Sequence, residues 1–269
     1  MSKSIALIGF GEAAATFADA ARWAEQATAF DTDAARSDAM ARLGVCAAPS
    51  ARRALEGAPL ILSLVTADQA LAAARDYAAC MKPGAIWCDM NSVAPERKRA
   101  SARYIEEAGG YYVDAAILAP VDPARLDVPI LLAGAAADRA RESLLAHGFS
   151  NVRPIGEETG RASAIKMIRS VMVKGIEALT DEMMEAAQAA GVADEVLASL
   201  DASEKQESWT RRVAYNRERM ATHGLRRAAE MEESARTLRS LGVEPILTEG
   251  TAKRQRDAAE RTRRTGGTA

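Results

Sequence analysis

The chain has 269 residues, a formal net charge of −2 and 27% charged residues, enough for one or two domains with a sizeable core. A charge balance this close to neutrality does not indicate binding to nucleic acid or to an anionic membrane. No apolar run approaches the roughly 20 residues that cross a bilayer. The three cysteines lack the spacing of a metal site. We therefore expect a soluble cytoplasmic protein that binds no metal.

A glycine-rich turn follows the first predicted strand. The segment from Gly9 to Ala14, GFGEAA, comes directly after the apolar run 5–8, and Asp31 lies twenty positions after Gly11. In a strand–turn–helix–strand unit, the first glycine allows the turn, the second lets the backbone approach a pyrophosphate, and the acid accepts from a ribose. The alternative is a plain glycine turn in an α/β domain. The pattern predicts a nicotinamide or flavin dinucleotide site that includes Gly9, Phe10, Gly11, Glu12, Ala13 and Asp31.

Strands and helices alternate through the first part of the chain. The apolar runs predict strands at 5–8, 27–31, 60–65, 85–89, 111–114, 128–132 and 149–154. Helices are predicted between them, among others at 33–43, 95–108 and 137–146. Such alternation is typical of a parallel sheet flanked by helices. Sites in these sheets form beyond the carboxyl ends of the strands, which places Val65, Thr66, Asn91 and Ser92 there.

The strand pattern ends near residue 160, and long helical stretches follow. Further helices are predicted at 193–200, 204–220, 225–241 and 251–264, the last a solvated basic segment rather than a nucleic-acid patch. We place a domain boundary between 1–158 and 159–269. A helical domain built on one long helix commonly buries its apolar face against a second copy, so we expect a homodimer. That face is predicted to hold Ile165, Ile168, Met172, Ile176 and Leu179.

Lys166 is the candidate for acid/base chemistry. Both histidines, His147 and His223, precede a glycine and are predicted to end helices, which leaves proton transfer to another residue. Lys166 lies on a helix that looks largely buried, where lost hydration and the nearby Arg169 or Lys174 lower the pKa of an ammonium. Such a lysine can exchange a proton with a substrate hydroxyl. The alternative is a lysine that extends its head group to solvent.

The order of four motifs resembles the β-hydroxyacid dehydrogenase family, which includes 3-hydroxyisobutyrate dehydrogenase and 6-phosphogluconate dehydrogenase. The motifs are GFG at 9–11, DMNSVAP at 89–95, VDAA at 113–116, and Gly160 followed by Lys166. The resemblance covers the whole chain, strongly to about residue 175. It implies an α/β Rossmann domain followed by an all-α domain, with NAD(P) as cofactor. It also implies that Lys166 is the general acid/base and that Asn91 and Ser92 contact substrate and nicotinamide. The C-terminal half most resembles a short 6-phosphogluconate dehydrogenase-like variant.

The chain departs from that family at its substrate loop. The family usually carries Ser-Gly-Gly, which binds a substrate carboxylate, where this chain has Leu118-Ala119-Pro120, and a proline has no N–H to donate. The asparagine expected one turn after the lysine is Ser170. The lysine of a later K-D-L motif has no clear match, and Arg226-Arg227 occupy that neighbourhood. The residues expected to contact substrate are Asn91, Ser92, Leu118, Ser170 and Lys174.

These observations predict an NAD(P)-dependent oxidoreductase that interconverts a hydroxy acid, or a related polar alcohol, and its carbonyl. NAD is favoured because Asp31 would repel the 2′-phosphate of NADP, although Arg36 lies close by. An imine reductase-like enzyme is one alternative, against which the retained Lys166 counts. A non-catalytic dinucleotide-binding sensor is the other, indicated by the altered substrate loop. The expected partners are a small-molecule substrate and a second copy of the chain, with no nucleic acid and no membrane.

Overall fold

The chain folds into two compact units. The computed structural model describes residues 4–203 and 207–266. The units are Met1–Ser170 and Val171–Ala269, and the division falls inside the helix Arg161–Ala189, later in the chain than the predicted boundary after residue 158. Among the described residues, no helix combines the length and the apolar character needed to cross a membrane.

The first unit is built on one eight-stranded sheet with helices on both faces. The strand order is β3-β2-β1-β4-β5-β6-β7-β8. Its strands are β1 (Ile5–Ile8), β2 (Ala27–Phe30), β3 (Cys46–Ala47), β4 (Leu60–Ser63), β5 (Ile86–Asp89), β6 (Tyr111–Ile117), β7 (Ile130–Ala133) and β8 (Val152–Pro154). Its helices are α1 (Glu12–Ala21), α2 (Arg36–Arg42), α3 (Ala51–Leu55), α4 (Ala70–Tyr77), α5 (Pro95–Glu107), α6 (Ala137–Ala146) and the start of α7 (Arg161–Ala189). This architecture confirms the predicted α/β Rossmann domain.

The central strands β1, β4 and β5 are mostly apolar because both faces of the sheet are covered, and their polar residues Ser63 and Asp89 lie at the carboxyl ends. Alternate residues of β1, β4 and β5 point to opposite faces and enter two separate hydrophobic clusters. Phe17 and Phe149 pack on one face, with their ring centroids 4.9 Å apart. Trp87 and Tyr112 lie in the cluster on the other face. The sheet is therefore a rigid base for the loops at the carboxyl ends of its strands.

One pair of strands departs from the predicted parallel arrangement. β6 and β7 are antiparallel, with Asp114 opposite Ala133 and Ile117 opposite Ile130, whereas the other neighbouring pairs of the sheet are parallel. A parallel pair requires a crossover, usually an α-helix. The segment between β6 and β7 forms only a short 3₁₀ turn at Arg125–Asp127, so the chain returns directly and reverses direction. The sequence also does not predict β3 and α3, because elements of two and five residues are too short to show a hydrophobic periodicity.

The second unit is helical, as predicted. It holds the rest of α7 followed by α8 (Ala193–Ser203), α9 (Trp209–Ser240) and α10 (Ile246–Gly266). The predicted break between helices 204–220 and 225–241 is wrong, since α9 runs without interruption through His223 and Gly224. A side chain at Gly224 would collide with the carbonyl oxygen of Gln255 on α10, so this glycine serves close helix packing. His147, by contrast, ends α6 as predicted. The predicted start at 204 lies outside the described residues.

Candidate functional site

The glycine turn between β1 and α1 has the geometry that its sequence predicts. Gly9 has φ +88°, and a Cβ at this position would lie 2.5 Å from the carbonyl oxygen of Leu64, so only glycine fits. Gly11 precedes α1 and has no atom within 4 Å of the place where a Cβ would stand. No side chain caps α1, so its first-turn amide groups are available to an anion.

Hydrogen bonds to the side chain of Asp31 connect this turn to the loop after β2. Its Oδ2 accepts from the backbone N–H of Phe10 at 2.6 Å, and its Oδ1 accepts from the N–H of Asp33 at 2.8 Å. Phe10 itself is buried in the core beneath the turn, and Glu12 is exposed. Because each carboxylate oxygen has a second lone pair, Asp31 can still accept from a ribose hydroxyl.

A cavity of about 380 Å³ opens over this turn; we call it the glycine-turn cavity. Its acidic lining residues are Asp31, Asp33 and Asp76, and its cation is Arg36, whose Nε lies 3.3 Å from a carboxylate oxygen of Asp33. Open space at a glycine turn, unused helix amides and an acid at the second strand end fit the adenosine diphosphate part of a dinucleotide. Other residues that line it are Gly9, Gly11, Val65 and Thr66.

A second cavity, of about 340 Å³, holds Lys166 and is called the lysine cavity. The Nζ of Lys166 donates to the Oγ of Ser92 at 2.5 Å. The two cavities share Leu64 and Val65 and therefore adjoin at the end of β4. The polar side chains that line the lysine cavity are those of Asn91, Ser92 and Lys166. The remaining lining is apolar and comprises Ala13, Leu64, Val65, Ala67, Met90, Ile117, Ala119, Pro120 and Val121.

Two residues predicted to contact substrate, Leu118 and Ser170, are absent from the linings of both cavities. The side chain of Leu118 packs against a small apolar cluster, while its carbonyl accepts from Arg169 Nη1 at 2.9 Å. The neighbouring residues 119–121 line the lysine cavity in its place. Lys174, a third predicted contact, follows further along α7 in the second unit. Lys166 itself is half-buried, less enclosed than the sequence predicted.

The sequence did not predict a buried polar cluster that lies beneath the lysine cavity. Asp89, Lys98 and Asp114 are each fully buried. The Nζ of Lys98 lies 3.0 Å from Oδ1 of Asp89 and 3.5 Å from Oδ1 of Asp114, the latter an ion-pair contact rather than a hydrogen bond. Tyr112 donates to Oδ2 of Asp89 at 2.6 Å, and burial, with the Asp89 charge, raises the pKa of this tyrosine well above its usual range.

In the described part of the chain, neither the buried Cys88 nor a cluster of metal-binding side chains provides a further reactive site. Cys88 is fully buried, and burial raises the pKa of its thiol to about 12, which keeps it protonated at neutral pH. Among residues 4–203 and 207–266, no group of three or more His, Cys, Asp or Glu side chains could hold a metal ion.

The two units match different protein families. Residues 4–148 match the family described as the NAD binding domain of 6-phosphogluconate dehydrogenase. The chain belongs to this family. Residues 187–258 match a domain of unknown function, DUF1932. The family match supports an NAD(P)-dependent oxidoreductase, and the matched range includes the glycine turn and Asp31.

Solved structures show the same fold along the chain. A conserved hypothetical protein from Sinorhizobium meliloti 1021 is 36% identical over 97% of this chain and 89% of its own, with a TM-score of 0.63. A conserved protein of unknown function, described as structurally similar to 3-hydroxyacid dehydrogenases, is 29% identical over 95% of this chain and 97% of its own, with a TM-score of 0.62. An imine reductase from Streptomyces aurantiacus is 22% identical over 96% of this chain and 95% of its own, with a TM-score of 0.78.

Proposed function

We propose that the protein is an NAD(P)-dependent oxidoreductase that interconverts a polar alcohol and its carbonyl, with Lys166 as the general acid/base. The observation that carries this proposal is the contact between Lys166 and Ser92 in a cavity that adjoins the glycine turn. A proton-transfer group thus stands next to a site suited to a dinucleotide, which is the arrangement that hydride chemistry requires.

The residues divide into a cofactor set and a substrate set. Gly9 and Gly11 give the pyrophosphate room, the N-terminus of α1 supplies amide donors, and Asp31 holds the adenosine ribose. The proposed cofactor set is completed by Phe10, Glu12, Ala13, Val65, Thr66 and Ser92, the last of which also belongs to the substrate set. When bound, a nicotinamide dinucleotide supplies or accepts a hydride.

The substrate set centres on Lys166 and Ser92. The ammonium of Lys166 donates a proton to the substrate oxygen during reduction and recovers it during oxidation. Ser92 holds the Nζ of Lys166 at 2.5 Å and so orients the proton that is transferred. Asn91 is buried beside them, and its Nδ2 donates to Asp89 Oδ1 at 2.7 Å, which fixes the loop that presents Ser92.

We expect weak activity on small 3-hydroxy acids. Of the residues that the structure describes in the lysine cavity, Lys166 alone offers a carboxylate a cation. The loop side of the cavity is formed by Ala119, Pro120 and Val121 rather than by amide-donating glycines. A carboxylate left short of charge-assisted hydrogen bonds costs about 1–3 kcal/mol, or roughly two orders of magnitude in kcat/KM at the upper end. A panel of small hydroxy acids, larger aryl or phosphorylated alcohols and their carbonyls, followed at 340 nm, measures this. If 3-hydroxyisobutyrate or glycerate is the best substrate, the altered loop does not weaken carboxylate binding.

Reduction of an imine is the second candidate function. The apolar lining of the lysine cavity suits a neutral carbonyl or imine carbon skeleton better than an acid. Cyclic imines and ketone–amine mixtures therefore belong in the same panel. Amine-dependent turnover would favour imine reduction, while alcohol oxidation without amine would favour the first proposal. Absence of turnover with every compound would instead favour a dinucleotide-binding sensor.

We expect NADH to bind more tightly than NADPH. Three carboxylates, those of Asp31, Asp33 and Asp76, line the glycine-turn cavity and would repel a 2′-phosphate. Among the described residues, Arg36 is the cation of that lining, and it already pairs with Asp33. Fluorescence titration with both reduced cofactors measures the difference. Tenfold tighter binding of NADPH would overturn this assignment and identify Arg36 as the phosphate partner.

We also propose a homodimer formed through the helical part of the chain. Ile168 is 73% exposed and Val171 is 76% exposed on α7, and Met172, Ile176 and Leu179 are each about half exposed. A continuous apolar helix face in water is unfavourable and marks an interface. Light scattering after gel filtration should give twice the mass of the 28.6 kDa chain. The double variant Ile168→Glu/Val171→Glu should be monomeric, while Glu185→Ala, an exposed change on the same helix, should remain dimeric.

A further inference from the structure

Lys98 occupies a place where a lysine is unfavourable by itself. Its side chain is completely buried, and it lies in the first turn of α5, whose N-terminus carries partial positive charge. An ammonium there loses hydration and is repelled by the helix dipole. It is held by Asp89, through Oδ1 at 3.0 Å and the backbone carbonyl at 2.5 Å, and by Asp114 at 3.5 Å. Apolar side chains can fill such a space at no net cost, so stability alone does not account for these charges.

The first carboxylate of the cluster holds the loop of Ser92. Asp89 ends β5, and its Oδ1 accepts from the backbone N–H of Asn91 at 3.0 Å and from Asn91 Nδ2 at 2.7 Å. Asn91 Nδ2 also donates to Ser63 Oγ at 3.0 Å at the end of β4. The residue that follows Asn91 is Ser92. Asp89 therefore determines where the hydroxyl of Ser92 stands.

The second carboxylate holds the helix of Lys166. Asp114 lies beside Asp89 in the register of β5 and β6, and its Oδ2 accepts from the backbone N–H of Ser163 at 2.9 Å. Ser163 is in the first turn of α7, one turn before Lys166. A carboxylate that accepts from a first-turn amide fixes the start of a helix in the way a cap does. Asp114 therefore determines where α7 begins and in which direction Lys166 extends.

We propose that Lys98 is a positioning residue that sets the separation of Ser92 and Lys166. It joins two carboxylates, one of which holds the Ser92 loop while the other holds the Lys166 helix. Without the ammonium, Asp89 and Asp114 would repel each other across neighbouring strands. The loop of Ser92 and the helix of Lys166 would then no longer be joined through Lys98. The expected effect of Lys98 on catalysis rests on the proposed function, whereas its effect on the separation of Ser92 and Lys166 does not.

A charge-matched variant separates positioning from charge balance. Asp89, Asp114 and Lys98 together carry a formal charge of −1, and so does Lys98→Met/Asp114→Asn, which loses one charge of each sign. The asparagine oxygen can still accept from Ser163. If the cluster only balances charge, this variant behaves as wild type. If Lys98 positions the pair, the Lys166 environment changes although the buried charge does not.

The test uses the full chain and two readouts that need no substrate. Amine acylation resolved by peptide mass spectrometry gives the labelling rate of Lys166 relative to the exposed Lys82, and hydrogen exchange gives the protection of the Ser163 amide. In the charge-matched variant we expect the Lys166 ratio to change at least threefold and Ser163 to exchange at least tenfold faster. The NADH dissociation constant should stay within twofold. The control Arg103→Met, an exposed change on α5, should match wild type in all three.

Unchanged labelling and exchange in a folded charge-matched variant would overturn the proposal. Should that variant fail to fold, Lys98→Arg keeps the charge but changes the reach of the side chain, and it too must alter the Lys166 ratio. A kcat that falls at least tenfold without a change in NADH binding would extend the claim to catalysis. Altered labelling in a protein that turns over none of the panel compounds would support the positioning role and contradict the proposed function.

Discussion

Replacing Lys166 by alanine is expected to lower kcat by about 10²–10⁴-fold, the usual contribution of a general acid or base. The variant removes the cation that the described residues contribute to the lysine cavity, and it removes the ammonium that donates to Ser92 Oγ. NADH affinity should stay within a few-fold, because the glycine-turn cavity does not include Lys166. Steady-state kinetics on the best panel substrate, with a fluorescence titration of NADH, measures both quantities.

The control for this variant is Lys82→Ala, which removes an exposed lysine that lines neither cavity. If the Lys166 variant keeps more than about a tenth of the wild-type rate, another residue transfers the proton. Lys174 is the next candidate, and Lys174→Ala would then carry the loss.

Alanine substitutions at the two glycines of the turn should affect different properties: Gly9→Ala should lower stability, and Gly11→Ala should weaken cofactor binding. Gly9→Ala places a methyl group 2.5 Å from the Leu64 carbonyl oxygen at a φ of +88°, so we expect a loss of about 1–3 kcal/mol or more in the free energy of unfolding. Gly11→Ala meets no atom within 4 Å, and its stability should stay within about 0.5 kcal/mol of wild type. Its methyl group would instead occupy the space of the pyrophosphate, which should weaken NADH binding at least tenfold.

Chemical denaturation and NADH titration of both variants test this difference. Gly250→Ala, in α10, also meets no atom within 4 Å of its Cβ and is the control for cofactor binding, so it should leave NADH affinity unchanged. Because alanine has a higher helix propensity than glycine, this variant should gain up to about 1 kcal/mol in the free energy of unfolding. Full NADH affinity in Gly11→Ala would show that the cofactor binds away from this turn. Full stability in Gly9→Ala would mean that the turn relaxes around a side chain.

Local patterns were sufficient to predict most of the first unit. The glycine turn, the strand before it and Asp31 depend on neighbours in sequence, and the structure places them together. The contact between Ser92 and Lys166 joins residues 74 positions apart. The position of Ser92 at a strand end follows from the predicted sheet, whereas the place of Lys166 in the same site follows only from the resemblance to a known family.

The features that were missed depend on tertiary contacts. Lys98 stands among charged residues in PERKRASAR, a composition typical of a solvated helix face, and only the fold shows that it is buried. The available signal was the pair Asp89 and Asp114, each an acid within an apolar strand, since two buried carboxylates need a cation nearby. The sequence predicts a helix end at Gly224, because the role of this glycine, close contact with α10, is visible only when the partner helix is in place.

The antiparallel return from β6 to β7 has a consequence for how specificity can change in this family. The loop begins and ends at one hydrogen bond, from the N–H of Leu118 to the carbonyl oxygen of Pro129, and it contributes Ala119, Pro120 and Val121 to the lysine cavity. The entropy of closing such a loop varies slowly with its length. Insertions or exchanges between these anchor points would therefore reshape the cavity and leave the order of the parallel strands intact. The segment is suited to grafting, by which one scaffold can diverge toward new substrates while the proposed proton donor and cofactor turn are retained.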